Sequence, residues 1–297
     1  MKQTQKATLL VTLSNVIYGC SFLATTVALR ESGSATYGIV AMRFFVAFVV
    51  LSLLLAFRVI HVDYHSKNVW KLLPAALIYP GLYFICETLA LGCASSAMVG
   101  VTIGAAPVFV ALFSWVFLKK RQSPLQMLCI LGSIAGVLLL NVEGISGQAL
   151  SLKAVVTLLG AVVTMSVYNV MVNRAGDQFT PTEITYFMVT VGMVLFALVD
   201  LIARGPFAAF RDCASSSYLT AVLFLGVFTS AGASFALNYG LCYLTAVKVA
   251  VLNNVTSVVS ILCGVIVLHE QFTVYGVLGC ALVLAGCIGY SVIKSDS

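Results

Sequence analysis

A chain of 297 residues with 61% hydrophobic and only 9% charged residues cannot cover itself with polar surface, since soluble domains carry about a quarter charged residues. The composition excludes a soluble globular domain and indicates a polytopic membrane protein. A net charge of +6 is expected to sit in cytoplasmic loops rather than on nucleic acid, because no basic run is interleaved with exposed aromatics.

Ten apolar runs of helix length follow one another, near 7–29, 36–57, 70–91, 96–118, 125–142, 152–173, 182–203, 218–243, 247–268 and 274–293. About 20 residues cross a bilayer, and only helices or closed barrels satisfy the backbone there. The runs are continuous rather than alternating, which argues against a barrel. The first follows Lys2 and Lys6. Ile17-Tyr18-Gly19-Cys20 has the outline of a lipoprotein cleavage site, but Tyr18 is too large for it and the run continues to Leu29. An uncleaved spanning helix is expected. It carries Asn15, with Ser14 and Tyr18 on one helical face.

The second run carries Arg43-Phe44 in its second turn. Arg43 is expected to snorkel from a helix end or tie loops together, or else to bind a carboxylate or phosphate. The third run places Tyr79 and Tyr83 four residues apart, beside Glu87. A carboxylate at membrane depth is costly and is expected to face a cavity or a partner. Burial disfavours its charge, which suits proton coupling; a structural pair with Arg43 is the alternative. Between these runs, His61-Val62-Asp63-Tyr64-His65 has a spacing open to zinc. In a basic juxtamembrane loop it reads as a solvated, lipid-proximal face, and no metal is expected.

In the fourth run Gly100 and Gly104 permit close helix approach, and Pro107 is expected to kink the helix; all three are hinge candidates. The sixth run carries Ser166, Tyr168, Asn169 and Asn173, and the eighth carries the small stretch Ser230-Ala231-Gly232-Ala233-Ser234, which lets helices pack closely, followed by Asn238 and Tyr239. Lys248 opens the ninth run, which adds Asn253, Asn254, Thr256 and Ser257. Lys248 reads as a snorkelling cation, with an anion contact as the alternative. In lipid, such amides and hydroxyls bond neighbouring helices or line a wet cavity. The candidate substrate-binding set is Asn15, Tyr18, Tyr79, Tyr83, Glu87, Tyr168, Asn169, Asn238, Asn253 and Ser257. The nine cysteines form no C-x-x-C pair and read as small buried hydrophobes.

The stretch from about Glu87 to Val142 recurs, without a gap, from about Leu237 to Val292. Leu91/Leu241, Val99/Val249, Val108/Val258, Leu112/Leu262, Leu118/Leu268, Leu128/Leu278 and Gly136/Gly286 are identical pairs. With a cytoplasmic N-terminus, Lys2, Lys6, Arg58, Lys67, Lys71, Lys119, Lys120, Arg121, Arg174, Lys248 and Lys294 fall inside and only Arg30, Lys153, Arg204 and Arg211 outside. That bias predicts both termini in the cytoplasm. Five spans per half is odd, so the second copy must run in the opposite sense, and inverted repeats suit alternating access. The fold expected is an all-α membrane protein of ten transmembrane helices, built as two inverted five-helix repeats over 1–145 and 150–297.

The five-helix repeat with a polar first helix, Arg43-Phe44, Pro107 mid-fourth and Glu270, Gly279 and Gly286 in LHEQFTVYGVLGCALVLAGC resembles the drug/metabolite transporter superfamily, EamA type. Lys119-Lys120-Arg121 replaces the acidic residue usual after the fourth helix, Ser257 replaces the second proline, and Cys129 replaces a glycine. The resemblance implies a secondary transporter of the cytoplasmic membrane that moves a small metabolite. The asymmetric wall of amides and aromatics suggests amino acid or related efflux, with protons as a possible coupling ion, in a monomer or homodimer. An importer or exchanger of anionic or phosphorylated solutes through Arg43 and Lys248 is the alternative, and a scaffold or intramembrane enzyme is the alternative of another class. No phosphate-binding glycine motif, nucleophile elbow or carboxylate pair points to an enzyme, a cofactor or direct ATP use.

Overall fold

The computed structural model describes residues 3–33, 35–65, 67–118, 123–143, 151–206, 208–269 and 274–292, and they form helices with no strand among them. Lys2, the run Lys119-Lys120-Arg121, the junction at 144–150, Glu270 and Lys294 lie outside the described residues. The elements are α1 (Gln3–Glu31), α2 (Thr36–Ala56), α3 (Val69–Leu91), α4 (Ser96–Gly104), α5 (Ala106–Leu118), α6 (Pro124–Glu143), α7 (Leu152–Ala175), α8 (Pro181–Arg204), α9 (Ser216–Tyr243), α10 (Ala246–Leu252), α11 (Asn254–Ile266) and α12 (Val274–Val292). Seven described helical segments are long and apolar enough to cross a membrane: α1, α2, α3, α7, α8, α9 and the pair α10–α11. The protein is a multi-pass membrane protein.

Starts follow capping chemistry. Ser95 accepts the Met98 amide ahead of α4, and Thr245, at the constant offset of the sequence repeat, accepts that of Lys248 ahead of α10. Ser151 and Ser215 cap α7 and α9 in the same way. Thr180 and Glu183 form a reciprocal capping box at α8, with Pro181 in its first turn.

Four runs are interrupted, among them the fourth, where Pro107 predicted a kink. Pro80 has no N–H to donate and disfavours helical backbone at the residue before it, and Tyr79 lies at φ −141°, ψ 112° within a wide turn spanning Leu77–Leu82. In α9 a wide-turn stretch covers Leu225–Ala233, the counterpart of the α3 interruption in the repeat. The fourth run breaks at Ala105, just before Pro107, and the ninth breaks at Asn253.

Helix partners exchange between the halves. Helix α1 packs on α9 and α11, and α7 packs on α3 and α5. Helix α2 lies against α8, α6 against α12, α4 against α11 and α5 against α10. The α4–α11 contact depends on glycine: a Cβ at Gly100 would stand 1.8 Å from Ser260 Oγ, and one at Gly104 1.9 Å from Ser257 Oγ. Buried apolar side chains run through the middle as one cluster, Phe22, Ile39, Phe84, Ile103, Leu158 and Phe196 among them.

Candidate functional site

Helices α1, α2, α3 and α9 bring polar side chains to one buried centre. Arg43 is in the second turn of α2, and its side chain is 0% exposed. The expected snorkelling is therefore corrected: α3, α8 and α9 pack around α2 and close the path to the interface. Arg43 Nε donates to Ser230 Oγ at 3.0 Å, and the guanidinium lies over the Phe84 ring at 4.2 Å. Nη1 stands 3.6 Å from Glu87 Oε2, an ion pair too long for a hydrogen bond. Nη1, Nη2 and Glu87 Oε2 are buried with no hydrogen-bond partner.

Beside this pair, the Tyr18 hydroxyl bonds to Tyr79 Oη at 3.2 Å and to Ser234 Oγ at 3.0 Å. Tyr79 and Tyr83, expected four apart on one regular helix, do not share such a face, because the backbone breaks at Tyr79. Their rings nevertheless adjoin at 4.8 Å, and Tyr79 stacks on Tyr168 at 4.3 Å. The Tyr168 hydroxyl donates to Asn238 Oδ1 at 2.5 Å, and Asn238 Nδ2 donates to Thr185 Oγ1 at 3.0 Å. Thr185 Oγ1 in turn donates to the Pro181 carbonyl at 2.8 Å. This chain ties α7, α9 and α8 together and is spent within the protein.

Asn15 accepts the Thr256 hydroxyl at its carbonyl (3.1 Å) and at Oδ1 (3.0 Å), joining α1 to α11. Ser257 donates to the Gly100 carbonyl at 2.8 Å. Asn169 and Asn253 are fully buried, and neither amide has a hydrogen-bond partner at its oxygen or its nitrogen; Asn253 stands at the α10–α11 break. Asn173, which shares a face with Asn169, donates to the Leu241 and Leu244 carbonyls at the end of α9. Lys248 does not join Arg43. It is exposed at the start of α10, in a surface pocket with Thr4, Thr8 and Thr12 of α1.

Further contacts were not legible beforehand. Ser230 and Ser234 read as packing residues in the sequence, yet they bond the two most central polar groups. Thr185 carried no signal. Pro80 did: a proline inside an apolar run marks a break. The cysteines are not uniformly buried. Cys280 is buried, Cys93 is exposed in the turn after α3, and the other cysteines whose burial is described are half-buried.

The helix ends carry two ionic clusters. Lys67 Nζ donates to Glu183 Oε1 and Oε2 at 2.8 and 2.6 Å, and the Asp63 amide donates to Glu183 Oε1 at 3.3 Å. Burial, then the Glu183 charge, pushes the Tyr64 phenol well above its ordinary pKa, so it stays protonated and donates to the Glu183 carbonyl at 2.7 Å. The loop is thus pinned to the start of α8, while His61, Asp63 and His65 remain exposed, as expected of a solvated face. At the other end of α8, Arg204 bridges Asp200 at 2.6 Å and Asp212 at 2.8 Å. No group of side chains able to hold a metal ion occurs among the described residues.

Residues 5–142 and 152–292 each match the EamA-like transporter family. The chain is 30% identical to the uncharacterized transporter YcxC of Bacillus subtilis over 288 residues, covering 94% of this chain and 91% of that one. It is 25% identical to the uncharacterized transporter YvbV of the same organism over 225 residues, 73% of this chain and 70% of that one. A crystal structure with a TM-score of 0.72 and 20% identity, covering 97% of this chain and 99% of its own, shares the fold.

Proposed function

Since the chain belongs to the EamA-like transporter family, within the drug/metabolite transporter superfamily, we propose that it is a secondary transporter exporting a small amphipathic metabolite. The solute is an amino acid or a close relative, moved across the cytoplasmic membrane by alternating access. In this reading the two family-matching stretches are inverted five-helix repeats with both termini in the cytoplasm. The pair α4–α5, with α6 and α12, completes ten spans.

One observation carries the proposal. Helices α3 and α9 are interrupted at corresponding positions, and side chains from both interruptions meet Arg43 and Tyr18: Tyr79 from one, Ser230 and Ser234 from around the other. Irregular backbone at membrane depth is tolerated where it lines a cavity or is buried in protein, and interrupted helices in matching halves mark transporter sites. The exchange of partners between α1 and α7 supports a two-fold relation. Placement of the Lys67–Glu183 and Arg204–Asp212 clusters at opposite ends of α8 supports loops that alternate between the two faces. A mixed wall of tyrosines, amides and one ion pair suits a small solute with both apolar and polar parts.

Counterflow tests the reading. Full-length protein in liposomes preloaded with unlabelled amino acids should accumulate labelled ones above protein-free vesicles. Absence of counterflow for every amino acid would remove the substrate assignment.

A further inference from the structure

Building on the transport reading, we propose that Arg43 and Glu87 are a receptor for the two charges of a zwitterion, and that a proton on Glu87 expels it. The ligand carboxylate sits on Arg43 Nη1 and Nη2, and its ammonium group sits on Glu87 Oε2.

Tyr168, Asn238 and Thr185 spend their polar atoms on one another, as buried polar groups do. Arg43 Nη1, Arg43 Nη2 and Glu87 Oε2 spend none, although all three are buried. The pair is held 3.6 Å apart, where Coulomb attraction persists but no hydrogen bond forms. A buried ion pair of that kind barely repays its desolvation, whereas charge-assisted bonds to a ligand would.

Charge then selects the ligand. Arg43 and Glu87 together carry no net charge, so a ligand bearing a single unbalanced charge would leave that charge buried in hydrocarbon. A ligand with one positive and one negative group adds none and pairs with both. The guanidinium fork takes a carboxylate in a bidentate way, while Phe84 covers its face. Facing the pair are the Tyr18 hydroxyl from α1, Tyr83 from α3, Ser230 from α9 and, one ring behind Tyr79, Tyr168 from α7. Arg43 is the charged group that acts on Glu87.

A proton and an ammonium group need the same oxygen of Glu87, so they exclude each other. Protonation from outside releases the zwitterion there, and deprotonation inside readmits one. The cycle exchanges an inward proton for an outward zwitterion and carries one positive charge inward.

Binding to full-length protein, measured with neutral α-amino acids, their carboxamides and the matching acids without the amino group, tests this directly. The zwitterions should bind, and each truncated series should weaken by roughly 10- to 100-fold, the loss of one charged hydrogen-bonding partner. Zwitterion affinity should fall about tenfold per pH unit on the acid side of the Glu87 titration. Glu87→Gln should abolish that pH dependence and the preference for an amino group, while the preference for a carboxylate stays. Glu87→Asp keeps the proton competition and serves where Glu87→Gln fails to fold. Equal binding of amides or acids, pH-independent affinity in the unaltered protein, or no binding of any series overturns the proposal. Flux of some other solute class in the same vesicles would leave the transport reading standing; no flux of amino acids, organic acids, amines, sugars or phosphates would remove both.

Discussion

At the residue scale, polar side chains in this core divide into satisfied and unsatisfied groups, and the two kinds should respond differently to substitution. Tyr168→Phe removes the donor to Asn238 Oδ1 and leaves a buried acceptor bare, a cost of about 1–3 kcal/mol. A lower melting temperature in detergent with residual counterflow is expected; unchanged melting would mean that the α7–α9 bond contributes nothing. Lys248→Ala should leave flux unchanged, because Lys248 is exposed and lies away from Arg43. A large loss would revive the exchange of phosphorylated solutes. Sequence reading named Arg43, Glu87, Tyr18 and Asn238 from polarity alone, since polar groups at membrane depth stand out against an apolar background. It misjudged Arg43 because snorkelling depends on a free path to the interface, and neighbouring helices decide that. It passed over Ser230 and Ser234 because small hydroxyl residues pack and donate equally well.

At the element scale, the close contact of α4 with α11 depends on two glycines. Gly100→Ala places a methyl group 1.8 Å from Ser260 Oγ and should destabilise by roughly 1–3 kcal/mol through overpacking. Combining it with Ser260→Ala should recover part of the loss; no recovery would place the strain elsewhere. Helix α1 meets α11 through Cys20 and Cys263, whose Sγ atoms lie 4.0 Å apart. Oxidation of the two thiols to a disulfide should stop counterflow and a reductant should restore it, if these helices part during the cycle. Full flux in the cross-linked protein would show that they move as one body. Interruptions in α3, α4–α5, α9 and α10–α11 were only half legible. Pro107 and Pro80 are visible breakers, but the wide turns of Leu225–Ala233 contain no proline to announce them.

At the scale of the whole molecule, charge placement and the ionic clusters bear on orientation. The proposed topology puts Cys93, which is exposed just after α3, on the outer face. In a variant keeping only that cysteine, a membrane-impermeant maleimide should label intact cells. Labelling only after permeabilisation would reverse the assigned orientation. Glu183→Gln weakens the hold on Lys67 and leaves that cation with one partner fewer. It should raise the mobility of the loop between α2 and α3, read as faster proteolysis there. Family membership was legible from the repeat and from Arg43-Phe44 and Pro107, and the matches over 5–142 and 152–292 bear it out.

Composition and periodicity by themselves determined that this chain crosses a membrane many times as helices and that its halves are related. Both conclusions are averages over many residues: hydrocarbon penalises every unpaired backbone group, and a duplicated pattern survives scattered substitution. Which polar atoms meet was decided only by the tertiary structure. Hydrogen bonds act over about 3 Å, and a sequence does not state which faces of α1, α2, α3 and α9 turn toward one another. Packing placed Arg43 beside Glu87 rather than at the interface, spent Tyr168 on Asn238, and left three charged atoms of the Arg43–Glu87 pair with bonds still to make.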